Sequence, residues 1–375
     1  ITYRPEIDGL RAVAVAAVII YHAKISIFGH NILEGGYIGV DIFLVISGYL
    51  ITSIILKELV TTGNFSFKNF YERRARRILP ALLFVMLASL PLAWIYLLPN
   101  DFMDFAKSLL YSLGFSSNFY FYFSSIQYEA ESGLLIPFLH TWSLSVEEQY
   151  YILFPVALIA TFKYFKKYIF AVLVTGLILS LFFAHWGSQN YPSSTFYLLH
   201  TRMWELIAGS LLAYFEIKLG NRSNNKTLNQ TLPILGLFLI FYSFFFFNEK
   251  TLHPSFLTCI PIIGICLIIW FTQKEQYLTK LLSTKLFVGV GLISYSLYLW
   301  HYPIFSFYRY TSFFLYTELY VKIIIAVLIF CLSIITYFLI EKPFRDKSKI
   351  ILPSLIKYLI FTNIIIFILC ISVIS

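Results

Sequence analysis

Eleven apolar runs alternate with short polar segments along the 375 residues of the chain, at about 10–28, 38–56, 78–98, 142–162, 168–186, 199–216, 232–247, 256–272, 286–308, 319–340 and 351–375. A hydrocarbon core about 30 Å thick takes roughly 20 helical residues at 1.5 Å each, so nine of these runs have the length of a transmembrane helix. The seventh and eighth are shorter and their limits are less defined. Loop charges order the spans. The segments 57–77, 163–167, 217–231, 273–285 and 341–350 hold six, three, three, three and four Lys/Arg, whereas Lys107, Lys250 and Arg309 stand nearly alone in the opposing loops. Cations gather on the cytoplasmic side of a membrane protein, which places the N-terminus and every basic loop inside. An inside start and eleven crossings leave the C-terminus outside. The predicted fold class is all-α, a polytopic transmembrane helical bundle.

Two connections stand apart from this regular alternation. The segment from Pro99 to Thr141 is long, external and poor in cations, with Asp101, Asp104, Glu129 and Glu131. Its aromatic stretch FSSNFYFYFSS at 115–125 fits an interfacial segment or one that dips back into the protein. The internal loop GNRSNNKTLNQT at 220–231 reads as a flexible, solvated connection. Its Asn221 sequon faces the cytoplasm and carries no meaning there. No internal repeat of the transporter kind is visible.

Composition agrees with a membrane chain. It is 59% hydrophobic and 13% charged, with mean hydropathy +0.77, where soluble domains hold about 45–50% apolar and about 25% charged residues. The 39 Phe, 28 Tyr and 6 Trp suit lipid-facing positions and interfacial belts. The net charge of +9 belongs to the basic loops, so no nucleic-acid partner is expected. Cys259, Cys266, Cys331 and Cys370 all lie in apolar runs, which predicts neither disulfide nor thiol nucleophile nor metal site. The first apolar run follows charges and lacks a cleavage site, so it reads as a retained anchor. A start at Ile1 and a stop at Ser375 in an apolar run suggest trimmed ends.

The candidate chemistry begins with YRPEIDGLRAVAVAAVIIYH at 3–22. With Leu10 as helix start, His22 lies roughly 18 Å along the axis, past the middle of the hydrocarbon core. Arg11 and His22 are eleven residues apart, about three turns, and share a helix face. An ionisable group at that depth is a functional candidate; the competing reading is a neutral histidine bonded to a neighbouring helix. The run Arg73-Arg74-Ala75-Arg76-Arg77 precedes the third span. It suits either lipid headgroups or a multiply phosphorylated ligand held by bidentate arginines at a helix start. Further polar groups enter the spans toward the outer side: Asp41, Glu147 and Glu148 with His140 just before them, Arg202, Glu205 and His301. A carboxylate beside an imidazole raises its basicity and fixes its tautomer. The alternative is a structural network of buried charges. A cationic cluster inside and acid/base groups outside suit a donor from the cytoplasm and an acceptor beyond the membrane.

These residues carry a family resemblance. The segments GGYIGVDIFLVISGYLIT at 35–52, FYERRARRILPAL at 70–82, HTWSLSVEEQYY at 140–151, ISYSLYLWHYP at 293–303 and EKPFR at 341–345, together with the opening stretch, are in their order and spacing similar to the acyltransferase-3 family of membrane acyltransferases. That group contains O-antigen and peptidoglycan O-acetyltransferases. The resemblance implies a ten-span acyltransferase core over residues 1–350 and transfer of an acyl group, usually acetyl, from cytoplasmic acetyl-CoA to a hydroxyl of a cell-surface glycan. It implies a bacterial inner (cytoplasmic) membrane location among membrane lipids. Residue by residue, the Arg-x-x-Arg motif is matched by Arg74 and Arg77 with Arg73 adjacent. His22 matches the essential histidine of the first span, Arg11 the arginine near its start, Asp41 the acid of the second span, and Glu148 with Gln149 the Glu-Gln of the fourth. His22, Asp41 and Glu148 are then the expected catalytic set, with His22 as base or transient acyl carrier and Asp41 orienting it. Arg11, Arg73, Arg74 and Arg77 are expected to hold the coenzyme, and Glu147, His301 and Arg202 the acceptor. The extra span at 351–375 is expected to lead to an external SGNH-type domain. From a different class, a polysaccharide or lipid-linked sugar flippase is the alternative; it needs neither the arginine cluster nor a deep histidine.

Overall fold

The computed structural model describes residues 3–27, 30–127, 133–311 and 318–375. In chain order its helices are α1 (Pro5–Ala23), α2 (Gly39–Thr62), α3 (Phe67–Tyr96), α4 (Pro99–Leu113), α5 (Ser117–Gln127), α6 (Thr141–Tyr164), α7 (Ile169–Asn190), α8 (Pro192–Tyr197), α9 (Leu199–Leu219), α10 (Lys226–Phe246), α11 (Cys259–Phe271), α12 (Tyr277–Leu282), α13 (Lys285–Leu292), α14 (Ser294–Thr311), α15 (Leu319–Thr336), α16 (Lys342–Arg345) and α17 (Leu352–Ile374). Ser26–Ile27 and His30–Asn31 form a two-residue antiparallel pair. Each apolar run read from the sequence coincides largely with helix, the first leaving it after Ala23, and the all-α membrane bundle is what the chain builds. Among the described residues six helical stretches are long and apolar enough to cross a membrane: Gly36–Thr62, Phe67–Tyr96, Lys166–Asn190, Lys226–Phe246, Leu319–Arg345 and Leu352–Ile374.

Local chemistry sets the boundaries. The helix α1 starts at Pro5, ahead of the apolar run, because a proline tolerates the first turn and Glu6 and Asp8 favour its positive end. Ser66 caps α3 by accepting from the Asn69 amide (3.3 Å), and Asn225 caps α10 through the Leu228 amide (3.2 Å). Left-handed Gly63 and Gly220, at φ of 73° and 74°, stop α2 and α9. Sequence patterning missed three features. The segment after Pro99 forms two helices, α4 and α5; Glu129 and Glu131 lie outside the described residues. The ninth run is broken between α13 and α14. A π-turn at Tyr337–Glu341 ends α15 and leads into α16.

The chain divides into two compact units. The first comprises residues 1–21, 26–65 and 146–292, and the second comprises 22–25, 66–145 and 293–375. In the first, α2 packs along α9, α7 along α9, and α10 along α11. The α2–α9 seam depends on glycine. A Cβ on Gly48 would lie 1.8 Å from the Leu206 carbonyl oxygen, and one on Gly209 would lie 2.0 Å from that of Val45. Small residues let the two backbones approach so closely that no Cβ fits between them, and hydroxyls then bridge the helices. Thr52 Oγ1 donates to Ser210 Oγ (2.7 Å), which also pairs with the Tyr150 hydroxyl (2.9 Å). The N-terminus is anchored in the same unit. Arg4 Nε meets Glu6 (2.8 Å), Nη1 donates to the Tyr49 hydroxyl (2.8 Å), and Nη2 donates to the Ile269 carbonyl (2.8 Å) and Thr272 (3.1 Å).

In the second unit α14 packs on α15 and α3, and α17 lies against α4 and α3. The Tyr295 hydroxyl donates to the Ile78 carbonyl (2.9 Å) and Trp300 Nε1 to Thr336 Oγ1 (2.9 Å). A chain of buried hydroxyls, Ser112, Thr141, Ser117 and Ser145, runs at 2.8–3.0 Å from member to member. The π-turn places Glu341 inside, where it accepts from Ser296 and from Arg345 (2.6 Å). Substituting Gly48 or Gly209 by Val should force α2 and α9 apart. A loss of roughly 1–3 kcal/mol is expected for such overpacking, read as a lower thermal midpoint of the detergent-solubilised protein; an unchanged midpoint would contradict the seam.

Candidate active site

The second unit gathers three imidazoles. His22 lies in the final turn of α1, because Lys24 adopts a left-handed φ of 47° just beyond Ala23. That helix end is tied down by cations, as the C-terminal carbonyls of a helix favour. Arg309 Nη2 donates to the His22 carbonyl, and Lys322 Nζ donates to that of Lys24 (2.6 Å). The His22 ring is 5.2 Å from the ring of His301 on α14 and 4.8 Å, edge-on, from Tyr302. His140, the residue before α6, stacks on Tyr302 at 5.4 Å and lies 5.6 Å from His301. Its own carbonyl accepts from the Tyr298 hydroxyl (2.8 Å), which also pairs with Ser143 (2.7 Å). Tyr302 is fixed through its hydroxyl to the Gly133 carbonyl (2.7 Å). His301 is completely buried and His140 is 3% exposed, whereas His22 is half-buried.

The first unit holds a buried charge centre. Arg202 Nη1, on α9, donates to Asp41 Oδ1 of α2 (3.1 Å) and to Glu205 Oε1 (2.9 Å), all three side chains being fully buried. Asp41 Oδ1 also lies 2.9 Å from His253 Nε2. Within this unit the imidazole beside Asp41 is His253, which the sequence reading did not name. The Tyr37 ring closes on His253 at 5.0 Å, and Phe196 lies 6.1 Å away. Arg202 and Glu205 pair as the structural reading of the sequence has it, with Asp41 drawn into the same network.

The remaining candidates fall as follows. Arg11 pairs with Asp8 (3.2 Å), whose other oxygen accepts from the Tyr3 hydroxyl (2.8 Å). Glu147 accepts from Ser47 (2.6 Å) and from Tyr151, and Glu148 is buried one residue further on. Of the arginines that open α3, Arg76 turns inward. Its Nε meets Glu72 (2.9 Å) and its Nη1 donates to the carbonyls of Phe344 (3.1 Å) and Ile350 (2.6 Å). At about 100° per residue Arg73, Arg74 and Arg77 share a sector that excludes Arg76. Arg73 is exposed and Arg74 and Arg77 half-buried. The structure thus brings together His22 with His301, and Asp41 with Arg202. Sequence reading named His140 among the polar groups and at the head of the HTWSLSVEEQYY stretch without giving it a role of its own, and it missed His253, which sits in a loop with no periodic signal.

The chain belongs to the acyltransferase-3 family: the family's model, described as an acyltransferase domain, matches residues 4–342. Among its relatives, the peptidoglycan O-acetyltransferase OatA of Listeria monocytogenes serovar 1/2a is 35% identical over 315 residues, covering 80% of this chain and 49% of that protein. A putative O-acetyltransferase of Staphylococcus aureus strain MSSA476 is 32% identical over 362 residues, covering 92% and 58%. The O-acetyltransferase OatA of Staphylococcus aureus strain NCTC 8325 is 30% identical over 364 residues, with the same coverage. The chain thus spans about half the length of the curated relatives it matches. No solved structure matches it.

The two kinds of arginine should separate in a stability measurement. Arg76→Ala strands the Phe344 and Ile350 carbonyls and leaves Glu72 with Lys347 (3.2 Å), an expected loss of about 1–3 kcal/mol, whereas exposed Arg73→Ala should stay within about 0.5 kcal/mol of wild type. Equal thermal midpoints for the two variants would contradict the division.

Proposed function

We propose that this multi-pass membrane protein transfers an acyl group, in the simplest case acetyl, from cytoplasmic acyl-CoA to a hydroxyl of a cell-surface glycan. In this reading it sits in the bacterial inner membrane with its N-terminus cytoplasmic and its C-terminus external. Arg73, Arg74 and Arg77 hold the coenzyme phosphates by bidentate, charge-assisted bonds, and Arg11 contributes from the first helix. The acyl end reaches His22, which acts as base or as transient acyl carrier. Glu147, Glu148 and the Asp41–Arg202 centre serve the outer side. The acyl group goes to the glycan directly or through an external SGNH-type domain. Peptidoglycan is the acceptor class that the name of the Listeria relative favours.

The observation that carries this reading is the convergence of His22 with His301 and, through Tyr302, with His140. A purely structural histidine at a helix end needs one bonded neighbour. It does not need a second imidazole in ring contact and a third in contact with that one. The family supports the reaction type, and the helix sector that Arg73, Arg74 and Arg77 share supports an anion site of the kind a coenzyme requires.

Purified protein with radiolabelled acetyl-CoA tests this directly. Arg74→Ala and Arg77→Ala should each weaken binding about 10–100-fold, the worth of one charged hydrogen-bonded contact. His22→Ala should keep binding and lower turnover by about 10²–10⁴. Equal loss of binding in all three variants would make His22 a packing residue. In cells, the knockout strain should lose acetyl esters from its surface glycan.

A further inference from the structure

The fold fixes the tautomer of His301. Its Nδ1 lies 2.6 Å from the Tyr298 carbonyl oxygen. A carbonyl can only accept, so the proton is on Nδ1 and Nε2 is a bare lone pair. That Nε2 is buried and has no hydrogen-bond partner among the described residues. In a serine-protease triad a carboxylate holds Nδ1–H so that Nε2 can take a proton; here a backbone carbonyl does the holding. Beside it, His140 has both ring nitrogens buried and unbonded among the described residues. In the neutral ring one of these is a donor and the other an acceptor, whichever tautomer is present.

The unmet demand identifies the chemistry of what completes the site. Two bare nitrogens require hydrogen-bond donors, and one N–H requires an acceptor. The reacting thioester of the acyl donor and its ionised phosphates offer acceptors only, so neither of those groups satisfies the lone pairs. A hydroxyl both donates and accepts, and a sugar presents several at neighbouring carbons. Tyr302, stacked on His140 at 5.4 Å and edge-on to His22 at 4.8 Å, gives such a substrate an aromatic wall.

We infer that His301 Nε2 is the base that takes the proton of the acceptor hydroxyl, and that His140 positions that hydroxylated substrate beside His22. In the step, the acceptor O–H bond breaks and its proton passes to Nε2 of His301. The oxygen bonds to the acyl carbon, and that carbon's bond to its leaving atom breaks with the electron pair. The leaving atom is the coenzyme sulfur, or a ring nitrogen of His22 where His22 carries the acyl group. In both routes the proton ends on the coenzyme thiolate, so the products are free thiol and ester. The assignment rests on the acyl-transfer reading above and divides the labour within it: His22 handles the donor, His301 the acceptor.

The test uses the full chain in lipid nanodiscs with labelled acetyl-CoA, water, and tetra-N-acetylchitotetraose as the hydroxylated probe. His301→Ala should leave acetyl-CoA affinity within about twofold of wild type and lower turnover about 10²–10⁴-fold. Added imidazole should restore part of that rate, which it cannot do for a residue that only packs. His301→Gln, which keeps the volume but cannot take a proton, should be as slow as His301→Ala. His140→Ala should raise the KM for the probe more than it lowers kcat. Wild-type turnover with an unimpaired His301→Gln would overturn the inference and leave the acyl-transfer reading standing. Loss in both His301 variants with a depressed thermal midpoint and no imidazole rescue would also overturn it. A wild type that neither binds nor turns over acetyl-CoA would instead sink the acyl-transfer reading itself.

Discussion

A charged side chain withdrawn from water must find its counter-charge or its hydrogen bonds inside the protein, and this constraint organises both units of the chain. Arg202 is enclosed by Asp41 and Glu205 at 3.1 and 2.9 Å with no exposure on any of the three. Breaking such a group from one side is expected to cost about 3–5 kcal/mol, because the remaining charge is left uncompensated. Arg4 meets a carboxylate, two hydroxyls and a carbonyl, which turns the polar opening of the chain into an anchor for α1, α2 and α11. Arg76 and Glu341 do the same in the second unit, each binding polar groups far away in sequence. The helices pack closely where glycine permits, and the buried charges fix which faces meet.

Against that background the histidine cluster is different in kind. The cationic groups around it are spent on backbone carbonyls at the end of α1. Its imidazoles lie in ring contact with one another and with Tyr298 and Tyr302, with no carboxylate bonded to His140 or His301 among the described residues. The Arg202 guanidinium bonds its two carboxylates at 2.9–3.1 Å, whereas the ring nitrogens of His140 and Nε2 of His301 have no hydrogen-bond partner among the described residues. That contrast sets the Asp41–Arg202 centre apart from the imidazole cluster, where the acyl-transfer proposal puts the reacting groups.

Much of this was legible in the sequence. The apolar runs and the basic loops gave helices that the structure places where expected, because a long lipid-compatible run has few other conformations open to it. Family motifs pointed to His22, His301, Asp41 and the arginines. Pairing was not legible. Nothing in the order of residues says that Asp41 meets His253, since the loop around His253 reaches α2 only through tertiary packing. Arg76 looked equivalent to its neighbours until helix phase and the carbonyls of Phe344 and Ile350 set it apart. The helices α4 and α5 were missed because an aromatic, charge-poor segment reads equally as interface or loop. The early start of α1 was hidden by the charges of Glu6 and Asp8, which favour a helix N-terminus while interrupting hydropathy.

The central claim is that the acyl group of a coenzyme donor meets its acceptor at the imidazoles around His22. A cryo-electron-microscopy structure of the protein with a non-hydrolysable acetyl-CoA analogue tests it most directly. The account predicts the coenzyme phosphates on Arg74 and Arg77 and the acyl carbon in van der Waals contact with the His22 ring. An acyl carbon held away from His22, or phosphates bound by other cations, would contradict it.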